Sequence, residues 1–216
     1  MIFSAEILNE LRNTVGTRLT DKRYHHTLGV EKAAVKIAKS CGYDDTSEIS
    51  AAALLHDISK EYSEAEVERI ISDFNISLSE SDKAAPQVIH AITAPFVILR
   101  DFPQFATDTV LSAVRKHTVA DEQMSLCDEI IFVADYIEDG RTYSQCVQTR
   151  ERLYQAFAAS KTTDECRSVL HIAVYTALSN TITALSNKGW HIHEKSMAAY
   201  RAISERLGYG DAMPEK

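Results

Sequence analysis

Apolar residues recur at helical spacing along most of the chain. After Ser4, a residue type that often caps a helix, one stripe is formed by Ile7, Leu8, Leu11 and Val15. Similar spacing predicts further helices over 21–41, 46–55, 63–73, 82–92, 95–102, 107–116, 125–139, 143–159, 162–187 and 193–207. No segment alternates apolar and polar residues convincingly, as a half-buried strand would. The pattern therefore predicts an all-α fold.

The segment 125–139 is apolar on two adjoining faces. Ile130 and Val133 lie on one face, and Cys127 and Ile131 lie on the next. A helix that is apolar on most sides belongs in the centre of a protein. Asp135 shares the second face, so we expect a buried carboxylate that needs a cation or hydrogen-bond donors.

Length and composition favour a single helical domain. The chain has 216 residues, with only 7 glycines and 4 prolines and no linker-like stretch, so we expect one domain over 1–216 with few turns. The longest apolar run, Ala94 to Leu99, is far shorter than the roughly 20 residues of a membrane span. Glu6 and Glu10 lie where a signal peptide would be apolar. These features predict a cytoplasmic protein without a membrane segment.

The net charge disfavours some classes of binding partner, and the spacing of the cysteines indicates the state of their thiols. The net charge is −8, which disfavours binding to nucleic acid or to anionic membranes. A phosphorylated ligand would need a local metal ion or a cluster of basic side chains. The four cysteines are far apart and form no C-x-x-C motif, so we expect reduced core thiols.

Ionisable side chains interrupt three of the predicted core helices. The pair His56-Asp57 follows the apolar run Ala51–Leu55, His26 lies on the second helix, and Asp135 lies on the central helix. A buried carboxylate costs several kcal/mol unless it is paired or binds a metal. Two imidazoles and two carboxylates suit iron, manganese, cobalt, nickel or zinc. By itself, a histidine–aspartate pair more often marks the end of a helix, with the aspartate capping the next turn. Ionisable residues on three predicted core helices instead favour one shared role, which is to bind a metal ion.

The order of these four residues resembles the HD superfamily of metal-dependent phosphohydrolases. Longer segments are similar to one branch, the bacterial symmetrical bis(5′-nucleosyl)-tetraphosphatases (YqeK-like). These segments are 23–30, 53–60, 113–126, 130–141 and 180–193. The resemblance covers about residues 20 to 205.

The resemblance implies an all-α, single-domain HD helical bundle with a metal site between core helices. The core motifs would span about 20–141, and C-terminal helices over about 143–207 would complete the nucleotide site. The implied activity is hydrolysis of diadenosine tetraphosphate to two ADP by a metal-activated water that attacks phosphorus. A homodimer is the expected assembly, and iron is the expected metal.

The resemblance also implies roles for particular residues. The metal would be held by His26, His56, Asp57 and Asp135. Catalysis would involve His56, Asp57, Lys60, His90 and His117. Substrate contacts would come from His26, Asp57, Ile58, Ser59, Lys60, His90, His117, Thr118, Asp135, Arg141, Asn180 and Thr181.

The chemistry of these side chains agrees with a phosphate ligand but leaves some roles open. Lys60 can reach a phosphate oxygen as a point charge, and Arg141 offers two parallel donors. His90 and His117 can contact phosphate, protonate the leaving ADP or bind a second metal ion. His90 also follows apolar neighbours, which is typical of a hydrogen-bonded core histidine.

Two other functions are compatible with the same fold. One is an HD phosphohydrolase that acts on a nucleoside monophosphate or a signalling nucleotide. The other is a non-catalytic HD module that binds a nucleotide and regulates a partner. The intact set of metal ligands argues against the module, in which we would expect at least one ligand to be lost.

Overall fold

Every regular element in the computed structural model is helical, over the residues that it describes, 2–210. The α-helices are α1 Ala5–Gly16, α2 Asp21–Ser40, α3 Ser47–Leu55, α4 Glu64–Asp73, α5 Glu80–Ala84, α6 Ile89–Asp101, α7 Asp108–Lys116, α8 Leu126–Ile137, α9 Ser144–Ala159, α10 Thr163–Asn187 and α11 Glu194–Arg206. Two single 3₁₀ turns, Pro86–Val88 and Pro103–Phe105, precede and follow α6. The prediction of an all-α fold is confirmed.

Helix α8 is the central element, as its apolar faces predict. It packs against α2, α7 and α10, and also contacts α3 and α9. Ile130, Ile131 and Val133 are fully buried. The helix begins at a capping box, in which the Ser125 hydroxyl accepts from the backbone of Asp128 and the Asp128 carboxylate accepts from the backbone of Ser125.

Helices α2, α3 and α7 surround one side of α8. Helix α2 packs on both α3 and α8, and α3 packs on α7. The run Ala51–Leu55 is fully buried, and small alanine side chains let the neighbouring backbones approach α3 closely. The C-terminal end of α3 is thereby brought between α2, α7 and α8.

The boundaries predicted around α6 are wrong. The sequence predicts helices over 82–92 and 95–102, whereas the structure breaks the chain at Pro86 and continues α6 through Pro95. Proline disfavours helical backbone in the residue before it, and Ala85 has a φ of −126° and a ψ of 66°. Pro95 removes one backbone donor, but it lies in a helix whose inner face is buried, so packing outweighs the lost hydrogen bond. As a result, His90 lies in the first turn of one long helix.

Helix α10 is long and apolar enough to cross a membrane by length and composition alone, a test that core helices of soluble proteins also pass. In this structure it packs against α8, α9 and α11. Leu170, Ala177 and Leu178 are buried there. Part of its apolar surface is therefore covered by the chain itself.

The four cysteines are free and buried. Burial raises the pKa of the Cys41 and Cys127 thiols to about 12. Such thiols are neutral at physiological pH and pack as small apolar groups. This arrangement agrees with the expectation of reduced core thiols.

The central position of α8 predicts a large cost for truncating its side chains. Ile130→Ala should lower the free energy of unfolding by about 2–5 kcal/mol, because it removes buried methyl groups and leaves a cavity. The measurement is urea unfolding followed by circular dichroism in the presence of a chelator, so that metal binding does not contribute. The matched control is Ile172→Ala on α10, where the side chain is 43% exposed and the change should stay within about 0.5 kcal/mol. Equal losses in both variants would contradict a central role for α8.

Candidate functional site

The ends of three helices bring the four predicted metal ligands together. His26 lies in the second turn of α2, His56 and Asp57 follow α3, and Asp135 lies in the last turn of α8. Within three overlapping groups, the ligand atoms lie within 4.8 Å of one another; these groups are His26–His56–Asp57, His56–His117–Asp135 and Asp57–His90–His117. The cluster therefore contains the four predicted ligands together with His90 and His117.

The burial of the cluster is uneven. His56 is completely buried, and Asp57 is nearly so. The Asp135 side chain is 20% exposed, although the sequence predicts that it is buried with the apolar face of α8. Asp135 is therefore less buried than predicted, although Ile137 and Glu138, which follow it, are buried. Among the four predicted ligands, solvent therefore reaches Asp135 most and His56 least.

Hydrogen bonds determine which nitrogen of each imidazole carries the proton. Nδ1 of His56 lies 2.7 Å from the carbonyl oxygen of Ala53, which can only accept, so Nδ1 is the donor. Nδ1 of His26 makes a hydrogen bond of 3.1 Å to Oε1 of Glu138, whereas its Nε2 makes none, so Nδ1 is the donor here too. In the neutral imidazoles, Nε2 of both residues therefore carries a lone pair.

These lone pairs face carboxylate oxygens. His26 Nε2 lies 3.0 Å from Asp135 Oδ1, and His56 Nε2 lies 3.4 Å from Asp57 Oδ2. Both Nε2 atoms are buried, and neither makes a hydrogen bond. Two acceptors at such distances repel each other unless a cation lies between them or a proton is added. Imidazole nitrogens and carboxylate oxygens are ligands for a divalent transition metal, so the residues present fit such an ion.

The electrostatics of the site also favour positive charge at its centre. Burial by itself would lower the pKa of His56, but the negative charges of Asp57 and Asp135 outweigh burial and raise it. Burial would raise the pKa of Asp57, yet the neighbouring imidazoles of His56, His117 and His90 hold it well below its usual value. The carboxylates therefore stay ionised near neutral pH and attract a cation.

A second set of side chains leads from the cluster towards the surface. Lys60 Nζ donates to Nδ1 of His90 over 3.0 Å. The other ring nitrogen of His90 must then carry its proton, and it lies 3.2 Å from Asp57 Oδ1 and 3.1 Å from His117 Nε2. The Thr118 hydroxyl lies 2.9 Å from the same nitrogen of His117. These four predicted site residues thus form one continuous hydrogen-bonded chain beside Asp57.

Burial sets the charge along this chain. It lowers the pKa of His90 to about 4, so His90 is neutral at physiological pH. Burial also lowers the pKa of Lys60, although the charges of Asp57 and Asp135 oppose the shift. A lysine with a lowered pKa that donates to a neutral histidine is suited to proton transfer.

Two arginines flank the carboxylates. Nη2 of Arg141 donates to Asp135 Oδ1 over 2.6 Å, and its Nε donates to the backbone oxygen of Asp135 over 3.0 Å. Nη1 of Arg23 donates to Asp57 Oδ2 over 2.7 Å. The sequence predicts Arg141 but not Arg23 as a site residue, although Arg23 lies one turn before His26 on the same face.

The remaining predicted residues lie around this centre. Ile58 and Ser59 are buried, and the Ser59 hydroxyl donates to the backbone oxygen of His90, which fixes the start of α6. Asn180 Nδ2 donates to the hydroxyl of Tyr136 over 3.1 Å, which connects α10 to α8 one residue after Asp135. Thr181 is half-buried at the next position of α10.

The structure reveals one buried neighbour that the sequence reasoning did not assign. Glu138 directly follows α8 and lies behind His26, on the side away from Asp135. Its spacing of three residues from Asp135 is a signal that could have found it, because residues three apart share a helix face.

Comparisons with known proteins agree with this geometry. The family model described as HD domain matches residues 23–140. The symmetrical bis(5′-nucleosyl)-tetraphosphatase of Halalkalibacterium halodurans is 30% identical over 191 residues, covering 88% of this chain and 92% of that protein. The protein of the same description from Staphylococcus aureus is 29% identical over 194 residues, covering 88% and 92%.

A solved structure has the same fold. It is a crystal structure from Clostridium acetobutylicum described as a "predicted HD superfamily hydrolase involved in NAD metabolism". The TM-score is 0.78 at 25% sequence identity, and the match covers 92% of this chain and 97% of that chain.

The arrangement of the cluster predicts that metal binding depends on His56 and Asp57. His56→Ala and Asp57→Ala should each abolish the metal content of the purified protein, measured by mass spectrometry of the elements. The unfolding midpoint should also become insensitive to added metal, because a ligand stabilises only the state that binds it. Asp139→Asn is the control, since this carboxylate is exposed and pairs with Lys32. Full metal content in either alanine variant would remove that residue from the site.

Proposed function

The chain belongs to the HD-domain family and, within it, to the symmetrical bis(5′-nucleosyl)-tetraphosphatases, and on this premise we propose that it hydrolyses diadenosine tetraphosphate to two ADP. The observation that carries the proposal is the pair of buried Nε2 lone pairs, on His26 and His56, that face carboxylates without a hydrogen bond. A metal ion satisfies that arrangement, and the family relationship gives the substrate class.

The charges around the site suit a polyphosphate in an otherwise acidic protein. A dinucleoside tetraphosphate carries about four negative charges, which a chain with a net charge of −8 repels over most of its surface. Arg23, Lys60 and Arg141 surround Asp57 and Asp135 and offset this repulsion locally. They bind and orient the phosphates on either side of the bond that breaks.

The metal, when bound by His26, His56, Asp57 and Asp135, supplies the Lewis acidity that activates the attacking water. The protein supplies the proton for the departing phosphate oxygen. His90 Nε2 carries a proton next to Asp57, while Lys60 donates to its Nδ1 from the other side. His90 can therefore release one proton and receive another from Lys60, with His117 and Thr118 contacting the phosphate.

The nucleoside is held on the side of α10. Asn180 and Thr181 lie on this helix, and the bond from Asn180 to Tyr136 places that surface beside the end of α8. We propose that residues 1–216 form one HD domain in which the helices over 143–207 complete the nucleotide site. The proposal also includes iron as the native metal, a homodimer, and a cytoplasmic location without nucleic-acid or membrane partners.

The test is product chromatography with diadenosine tetraphosphate as substrate. The purified protein is stripped of metal and assayed with iron(II), manganese(II), cobalt(II) or no metal. We expect ADP as the exclusive product and no turnover without metal. AMP together with ATP would indicate asymmetric cleavage and contradict the proposal. Turnover of only a nucleoside monophosphate or a signalling nucleotide, or binding without turnover in any metal, would also overturn it.

The proposed role of His117 predicts a separation of metal binding from catalysis. His117→Ala should keep the ratio of bound metal to protein and lower kcat/KM by about 100-fold or more, because a phosphate contact and the hydrogen-bond partner of His90 are lost. Val169→Ala on α10, a half-buried apolar residue outside the cluster, is the control and should retain activity. A fall in the metal ratio from two to one would instead make His117 a ligand of a second ion.

A further inference from the structure

Glu138 lies directly behind the imidazole of His26 and is 4% exposed. Its Oε1 accepts from Nδ1 of His26 over 3.1 Å, and its Oε2 accepts from the backbone N–H of Gly140 over 2.6 Å. The carboxylate thus contacts the ring on the side opposite to Asp135. It therefore supports a predicted ligand without belonging to the ligand groups themselves.

Two glycines leave the space that this carboxylate occupies. A Cβ at Gly29 would lie 2.5 Å from Glu138 Oε2, and a Cβ at Gly140 would lie 2.9 Å from Oε1. Neither glycine is among those with positive φ in the described chain. A left-handed backbone is therefore not the reason why glycine occurs at these positions. The reason is the space that the side chain of Glu138 occupies.

From this packing we propose that Glu138 is a positioning residue, which holds His26 with its proton on Nδ1 so that Nε2 is free to bind the metal. The proposal rests on the metal site of the proposed function, and it adds a residue and two glycines to that site. A carboxylate that accepts from the far nitrogen of a ligating histidine fixes both the tautomer and the ring orientation.

The chemistry of a glutamate at this position is hard to replace. Both carboxylate oxygens accept, and each faces an N–H donor, one from His26 and one from Gly140. A glutamine has only one accepting oxygen, so its NH₂ group must face one of the two donors. If it faces His26, the ring reverses its tautomer and places a proton on Nε2, where the metal would bind.

The experiment compares two variants that disturb Glu138 in different ways. Glu138→Gln changes its hydrogen bonding and keeps its shape. Gly29→Ala leaves Glu138 in the sequence but displaces its carboxylate, because the end of a flexible side chain is what the new methyl group meets. Asp139→Asn removes the same charge one residue later, at an exposed position paired with Lys32, and serves as the matched control.

Cobalt(II) is the probe, since its binding is followed by visible absorption and requires no turnover. Affinity is measured by titration of the metal-free protein against a competing chelator. The tautomer of His26 is measured on the same metal-free protein from its ring ¹H–¹⁵N couplings after histidine labelling. Unfolding of the metal-free variants by urea reports whether they are folded.

We expect both Glu138→Gln and Gly29→Ala to weaken cobalt binding by about 10- to 100-fold, with loss of the Nδ1-protonated tautomer of His26. Metal-free Gly29→Ala should stay folded, because the higher helix propensity of alanine offsets part of the cost of moving the carboxylate. If Glu138 had only a structural role, a variant that stays folded would keep its affinity for cobalt and the Nδ1-protonated tautomer of His26. Asp139→Asn should bind cobalt normally.

Unchanged affinity and tautomer in Gly29→Ala would overturn the proposal, whether or not Glu138→Gln folds. Weak binding in Asp139→Asn as well would also overturn it, because the effect would then follow from net charge. A failure of the proposed metal site gives a different result, in which the unmodified chain itself binds no cobalt(II). A failure of the proposed activity appears only in the product assay and leaves the cobalt titrations unchanged.

Discussion

Two imidazole nitrogens that face carboxylate oxygens in a buried site are the constraint on which the rest of this structure depends. His26 Nε2 and His56 Nε2 lie 3.0 Å and 3.4 Å from Asp135 and Asp57, and neither has a hydrogen-bond donor. Buried acceptors without donors are costly. A cation between them removes that cost, so metal binding and the stability of the folded chain are coupled.

Surrounding side chains and backbone groups hold the carboxylates and the imidazoles of this site in place. Arg23 binds Asp57 and Arg141 binds Asp135, and each arginine takes one oxygen of its carboxylate. On the far side of the rings, the backbone of α3 holds His56, and Glu138 holds His26. The ligands are thus orientated by groups that lie outside the cluster, as in other metal sites where the second layer of contacts fixes ring direction.

The helical fold and the four central residues could be predicted from sequence because both depend on local patterns. A stripe of apolar residues predicts a helix wherever it occurs, and a charged residue in such a stripe, such as Asp135, indicates a special environment. Local signals gave the start of α8 at Ser125. They failed at Pro95, where burial of the surrounding helix outweighs the helix-breaking tendency of proline.

What the sequence by itself determined was the set of helices, the central place of α8, and the residue types that would supply nitrogen and oxygen ligands. Only the tertiary structure decided how far each ligand is buried, which ring nitrogen carries the proton, and that Glu138 and Arg23 hold His26 and Asp57. The contacts of Glu138 with His26 and of Arg23 with Asp57 join residues 112 and 34 positions apart. Periodicity along one helix carries no information about such distances, because they are set by how α2, α3 and α8 pack against one another.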